Sequence, residues 1–393
     1  MAYDVIVVGG GIAGSALATV LASRGIEVLI LERERVFKDR VRGEGIHPWG
    51  VAEARALGLL PTMLTCGREV RYWTTSFGAP PGDRRDLILT TLHQAGTLTF
   101  YHPQMQETLL QAAAAAGAAV QRGATVINVQ PGHPATVQAE MDGQVETLRA
   151  NLVVAADGRL ARSRAWGGFT VQRRPHPLSM AGVLLEKVQA PEESVHVLFY
   201  PPRARAALLF PLGRQRFRTY VVYPTETSPV SLGGHRNLTH FLAVCQEIGV
   251  PAAWFDGARL GGPMAAFDCT EVWVEHPHAP GLVLIGDAAT APNPIWGCGL
   301  SLVLRDVRTL AEALLSQSNW RQAGHTYALA HDRYRQALQA AEEVLTRLLF
   351  EMHTGEDGLR MKIAPRQVLG PARRLDIVGL GPDAAQGLSI LSH

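Results

Sequence analysis

Cysteine is scarce in this chain of 393 residues. The four present, Cys66, Cys245, Cys269 and Cys298, show no C-x-x-C spacing. That excludes a disulfide-stapled scaffold and a cysteine-based metal or redox motif, and it fits a reduced, cytoplasmic setting. No stretch reaches the roughly 18 apolar residues that a membrane span requires. The opening apolar run is short, broken by glycines and without a basic leader, so a soluble protein without a signal peptide is expected. Charge of one sign is missing too. With 37 basic and 35 acidic residues, a formal net charge of +2, there is no electrostatic case for a nucleic-acid partner. The densest basic cluster, Arg360 to Arg374, reads as a solvated face. The 14 histidines form no triad and no metal-ligand spacing; His47, His93, His176 and His196 read as structural or exposed.

A hydrophobic fraction of 47% against 18% charged residues is enough for a large core, in two domains or one elaborated one. The chain opens as a β-α-β unit: Val5 to Val8 as strand, Ala13 to Arg24 as helix, Gly25 as its stop, Glu27 to Leu31 as the second strand. A short helix is expected at about Gly50 to Leu57. Tyr72 to Thr99 alternates like paired strands around Pro80-Pro81-Gly82-Asp83. Pro103 to Ala116 reads as helix, followed by β-like segments through Val129, around Val137, and at Leu152 to Ala155. Short β-like runs then fill Gly168 to Phe267, crossed by a helix at about Leu238 to Glu247. Two more helices, Leu300 to Leu315 and Trp320 to Phe350, precede a Gly/Pro-punctuated tail.

The loop Gly9-Gly10-Gly11-Ile12-Ala13-Gly14 sits between that first strand and helix. Gly9 allows the tight turn, Gly11 lets backbone approach a pyrophosphate, and Gly14 lets the helix pack on the strand. The helix N-terminus, from Ile12 and Ala13, offers free N–H groups and partial positive charge to the phosphates. Glu32, ending the second strand beside Arg33, is placed to accept from ribose hydroxyls. Far downstream, Gly286-Asp287-Ala288-Ala289 follows a second apolar run, Leu282 to Ile285. The pair suggests one FAD stretched across a domain that the chain leaves and re-enters.

With Asp157-Gly158-Arg159-Leu160-Ala161-Arg162-Ser163-Arg164 and Pro294-Ile295-Trp296-Gly297-Cys298-Gly299-Leu300-Ser301, these motifs carry a family resemblance over residues 1 to about 330. The chain resembles the FAD-dependent aromatic hydroxylases, single-component flavoprotein monooxygenases with the p-hydroxybenzoate hydroxylase fold. The resemblance implies an α/β fold: a glutathione-reductase-like FAD-binding domain, an interleaved antiparallel-sheet substrate domain and C-terminal helices. The FAD-binding parts would be 1–75, 100–167 and 273–318; the substrate parts 76–99 and 168–272; the helical region 319–393.

It also implies site roles. Asp157 and Gly158 would help hold FAD and the nicotinamide donor, NADH or NADPH, although Ala161 stands where the family's DGxxSxxR pattern has serine. Asp287, following Gly286, would bond a ribityl hydroxyl. Gly297, Gly299, Leu300 and Ser301 would bring helix N–H groups to the electron-rich edge of the flavin, while Pro294 and Trp296 line the chamber where oxygen reacts. Arg42, in Arg42-Gly43-Glu44-Gly45, takes the place of a flavin-proximal arginine, and His102 or Gln104 would touch the FAD phosphates. Tyr200, Tyr223 and His93 are candidates for a proton-transfer group. The implied reaction reduces FAD with NAD(P)H, traps O2 as a flavin C4a-hydroperoxide and hydroxylates an aromatic or polyketide-like small molecule.

Three alternatives compete with hydroxylation. Gly43-Glu44-Gly45 is similar to a segment of geranylgeranyl-reductase-type flavoproteins. A flavin-dependent halogenase ranks lower because no W-x-W-x-I-P segment is present. A flavin-free binding protein of the GDP-dissociation-inhibitor type is opposed by the intact glycines, Glu32 and Asp287.

Overall fold

Val5, Ile6 and Val7 are fully buried, as expected of a β-branched run covered on both faces of a parallel sheet. They belong to the strand Ala2–Val8, at the centre of an eight-stranded sheet. Gln144–Ala155 and Leu282–Leu284 continue the sheet in parallel on one side, Val28–Glu32 and Ala119–Arg122 on the other. Thr125–Gln130 and Ala135–Met141 fold antiparallel onto Gln144–Ala155 as a meander. The structure, a computed structural model, describes residues 2–78, 80–226, 232, 234, 237–351 and 376–384. The cluster from Arg360 to Arg374 therefore lies outside the described residues.

Helices Ile12–Ala22, His102–Ala115 and Gly299–Ser316 cover one face of this sheet, their apolar sides merging into one core with Val5, Val7, Ile30 and Val154. The other face packs Ile6, Val8 and Val153 against Val126, Val129 and Val137 of the meander.

A seven-stranded sheet is built mainly from Leu178–Glu186, Ser194–Tyr200, Arg205–Gly213, Arg216–Pro224 and Arg259–Asp268. Tyr72–Phe77 and Asp83–Asp86 complete it, reaching it from the other side of the nucleotide sheet's meander in sequence. Tyr72–Phe77 runs parallel to Ser194–Tyr200, so the sheet is not wholly antiparallel. Helix Leu238–Ile248 covers its outer face. The inner face looks toward the long helix Trp320–Thr346.

Two expectations need correction. Thr97–Phe100 does not join the Tyr72 hairpin. Asp86 caps a one-turn helix, Leu87–Thr90, and the turn after it redirects the chain. Thr97–Phe100 instead pairs with Gly45–Ile46 and Gly67–Val70 in a separate small sheet. The long helix loses α-form at Thr346, and Arg347–Glu351 continues as a wider π-turn. Among the described residues no helix is long and apolar enough to cross a membrane.

Candidate functional site

Four loops leave the carboxyl ends of adjacent parallel strands: Gly9 after Val8, Arg33 after Glu32, Ala156-Asp157-Gly158 after Ala155, and Gly286-Asp287 beyond Leu284. In open α/β sheets that edge, near the reversal of strand order, is where ligands bind. A Cβ at Gly9 would lie 2.6 Å from the Ala156 carbonyl oxygen, and one at Gly14 would lie 2.0 Å from the Gly9 carbonyl oxygen. The strand–helix contact is too close for any side chain. At Gly11 the nearest atom to an added Cβ is Gln106 Nε2 at 3.7 Å, so the backbone there is open on the groove side. The close approach read from the sequence is physically available.

The loops are tied together. A Cβ at Gly286 would lie 3.2 Å from Ala13 Cβ, so the first and third motifs are stacked. Arg164 is buried and donates from Nε to the Ala288 carbonyl at 2.8 Å, from Nη2 to Asp287 at 2.5 Å and from Nη1 to Arg159 at 2.9 Å. One guanidinium therefore locks the second motif to the third. Asp157 accepts from the Arg162 and Ser163 backbone N–H groups and, at 2.6 Å, from the Ser163 hydroxyl. Ser163 thus supplies a hydroxyl in the loop where Ala161 lacks one.

The groove between these loops, about 220 Å³, is lined by Gly9, Gly11, Glu32, Arg33, Arg40, Arg42, Gln106, Asp157 and Gly158, among others. Glu32 is buried; its Oε2 accepts from Gly10 N–H and its Oε1 from Glu34 N–H, both at 2.7 Å. Arg33, Arg40 and Arg42 give the groove a basic side suited to a pyrophosphate. Arg42 Nη1 would lie 3.8 Å from a Cβ at Gly158, and burial raises the Asp287 carboxyl above its ordinary value while the charges of Arg42, Arg159 and Arg164 offset part of that rise.

From Arg42 the chain runs to a second hollow. Glu44 is fully buried and accepts from Arg218 Nε at 2.9 Å and Nη2 at 3.0 Å; Asp39 accepts from the same Nη2 at 2.7 Å. Burial raises the Glu44 carboxyl and Arg218 lowers it, while Arg218 is held more firmly protonated than usual. The bidentate contact is that of an ionised pair. Gly45 stands against Phe210, where a Cβ would lie 2.9 Å from the ring.

His47, read from the sequence only as structural or exposed, is a buried residue that holds the chamber wall. Its ring is buried, and Nε2 donates to the Trp296 carbonyl at 2.8 Å, while its backbone N–H donates to the Ser301 hydroxyl at 3.0 Å. Only its place, five residues after Arg42, hinted at this.

The hollow itself, about 360 Å³, lies between the inner face of the seven-stranded sheet and the turn Pro294–Trp296. Trp73, Phe77, Phe199, Leu208, Phe210, Ile295, Trp296 and Gly297 make it mainly apolar, with a charged margin of Asp83, Arg84, Arg85, Asp86 and Asp376 in which Arg85 pairs with Asp376. Asn293 Oδ1 caps the turn by accepting from Ile295 N–H. Gly297 takes φ +67, a left-handed value that permits the reversal into helix Gly299–Ser316. Trp296 Nε1 donates to Thr346, which fixes the indole in the wall.

Not every candidate converges. Pro294 begins the turn but does not line the hollow, Leu300 packs against Gly43, and the Ser301 hydroxyl is occupied by His47. His102 turns its ring to the Gly43 carbonyl, 2.8 Å from Nδ1, rather than into the groove. Gln104 lines a separate hollow with Cys66 and Arg216. Its helical neighbour Gln106 lines the groove, because two residues along a helix point to nearly opposite faces. Tyr200, Tyr223 and His93 do not line the apolar hollow.

A parallel sheet with a glycine loop, a groove shaped for a dinucleotide and an adjoining apolar chamber defines a nucleotide-dependent oxidoreductase of the flavoprotein class. Residues 2–346 match the family described as FAD binding domain, and the chain belongs to that family. Rifampicin monooxygenase of Streptomyces venezuelae is 26% identical over 91% of this chain and 73% of its own length. Squalene monooxygenase SE1 of Panax ginseng is 26% identical over 79% of this chain; the chain spans 58% of that protein. Among solved structures, the flavin-dependent brominase Bmp2 superposes with a TM-score of 0.79 at 17% identity, covering 100% of this chain and 98% of that one, a likeness of fold alone. FAD is the cofactor, and the chain is an FAD-dependent oxidoreductase related to monooxygenases.

Proposed function

We propose that the chain is an FAD monooxygenase, using NAD(P)H and O2 to hydroxylate an apolar aromatic or polyketide-like small molecule. The observation that carries this reading is the placement of Trp296. It walls the apolar chamber, and its carbonyl is held by His47 in the segment that begins at Arg42 in the groove. Bound FAD supplies the redox chemistry. The chain's own residues bind and shelter: Gly9, Gly11, Ile12, Ala13 and Gly14 approach the pyrophosphate, Glu32 takes ribose hydroxyls, Arg42, Asp157 and Gly158 line the groove, and Gly286 and Asp287 would meet the ribityl chain. The helix start at Gly297 and Gly299 offers N–H groups to developing negative charge. Trp73, Phe199 and Phe210 exclude water from an apolar substrate.

In this reading the division is that of a glutathione-reductase-like FAD domain (1–75, 100–167, 273–318) interleaved with a substrate domain (76–99, 168–272), with strand Tyr72–Phe77 crossing the first boundary and Thr97–Phe100 pairing back to segments of the FAD side. Glu44 argues against transferring the reductase's Gly-Glu-Gly chemistry, since both its oxygens are bound to Arg218. The test is turnover of an aromatic panel with NAD(P)H under isotopically labelled O2, followed by mass spectrometry. Label in an added hydroxyl supports the proposal. Oxygen-independent reduction of a double bond would replace it with the reductase reading.

A further inference from the structure

The 14 histidines are dispersed in sequence, yet three of them converge on the surface. His276 and His278 flank Pro277 at the start of the hairpin that leads into Leu282–Leu284, and His325 stands on the long helix Trp320–Thr346. A donor nitrogen from each lies within 4.8 Å of the others, and His276 Nε2 is 3.0 Å from His325 Nδ1. Tetrahedral zinc–nitrogen bonds of about 2.0–2.1 Å place their donor atoms roughly 3.3 Å apart, so small side-chain adjustments close the set. We propose that His276, His278 and His325 bind one first-row divalent transition metal of the zinc class, leaving its fourth position to water.

The surroundings fit such a ligand. Asp332 lies two helical turns beyond His325. Both its oxygens accept from the His276 backbone N–H, at 3.1 and 3.2 Å, and one stands 3.9 Å from His276 Nδ1. A carboxylate behind a ligating imidazole fixes its tautomer and raises its basicity. His276 is held at φ +50, in the left-handed region, which aims its ring at His325. His278 Nε2 is buried and has no hydrogen-bond partner among the described residues. Imidazole-only donors favour zinc, copper or nickel over magnesium or calcium.

A bound metal would join the hairpin that precedes Gly286-Asp287 to the helix whose Tyr327 and Tyr334 brace the same loop, through Leu284 and Asp306. Its role is a staple, and none of the three histidines lines the groove or the chamber.

The test uses tag-free, FAD-loaded protein stripped with chelator and titrated calorimetrically with zinc chloride. One saturable site per chain is expected, together with a zinc-dependent rise in the unfolding midpoint. His325→Ala, at the exposed end of the set, should weaken binding at least tenfold and abolish the rise while leaving flavin absorbance unchanged. His325→Gln serves if circular dichroism shows that the alanine variant is misfolded. Asp332→Asn should weaken binding about tenfold. Absence of a saturable site, or equal affinity in the folded His325 variant, overturns the proposal.

Discussion

Arg164 donates to the backbone carbonyl of Asp287 at 2.5 Å, across 123 positions of sequence. The same guanidinium also satisfies the carbonyls of Ala288 and Arg159. Two motifs that look independent in the sequence are therefore one mechanical unit. Arg164→Ala leaves three carbonyls without that donor, two of them in the loop that carries Asp287. A loss of about 2–4 kcal/mol is expected, with FAD dissociating on gel filtration. Lysine should not rescue it, because an ammonium lacks the planar fork that reaches three acceptors at once.

Gly11 and Gly14 should separate cofactor binding from folding. An added Cβ meets the Gly9 carbonyl oxygen at 2.0 Å at position 14 but finds nothing closer than 3.7 Å at position 11. Gly14→Ala should lower the unfolding midpoint markedly, since backbone must move to admit it. Gly11→Ala should fold with a near-parental circular dichroism spectrum yet bind FAD at least tenfold more weakly, its methyl standing where phosphate must approach. Equal FAD affinity for Gly11→Ala and parent, by fluorescence titration of apoprotein, would remove the pyrophosphate from that loop.

What was legible in the sequence had a local cause. The glycine loop, the flanking strands and the Gly286-Asp287 turn follow from residue type and period, and the structure places them side by side. The contributions of His47, Arg218 and Asp306 were not legible, because each acts on a distant segment: His47 on Trp296, Arg218 on Glu44, and Asp306 on the Gly286 N–H at 2.7 Å. Gln104 fell on the wrong helix face for want of a phase that only tertiary packing supplies. The three-histidine cluster escaped because its third member comes from an element whose position no spacing encodes.

Asp287→Ala should yield a folded chain with little flavin. Its side chain makes no hydrogen bond in the Arg164 lock, which uses only its backbone carbonyl, and the Asp287 carboxyl is buried under the influence of the Arg42 charge. The visible flavin band measured against total protein is the readout. Full flavin content would remove Asp287 from the ribityl position.

Glu44 and Arg218 should show strong coupling. Both side chains have 0% exposure, so Arg218→Met strands a buried carboxylate beside Asp39 and should cost about 3–5 kcal/mol. Glu44→Gln removes one charge of the triad and should cost less. The double variant should be more stable than the sum of the two losses implies, because the Glu44 carboxylate is no longer stranded when the guanidinium is removed, which leaves only Asp39 uncompensated. Urea denaturation of all four proteins measures this; additivity would mean that the pair contributes no mutual stabilisation.

His102 gives the acid limb of stability a definite direction. Its Nδ1 must carry the hydrogen, because the Gly43 carbonyl 2.8 Å away can only accept. Burial lowers the imidazole to about 4 from 6.5. The folded value lies below the unfolded one, so between them the unfolded chain binds more protons. The contribution is complete above about 6.5 and is lost as pH falls toward 4, amounting to roughly 3 kcal/mol over that window. His102→Gln should therefore flatten the fall in unfolding free energy across that range. His278 is lowered in the same direction, so the informative quantity is the difference between parent and variant at each pH, measured by urea denaturation. Parallel curves would place His102 in a solvated environment and detach it from the Gly43 carbonyl.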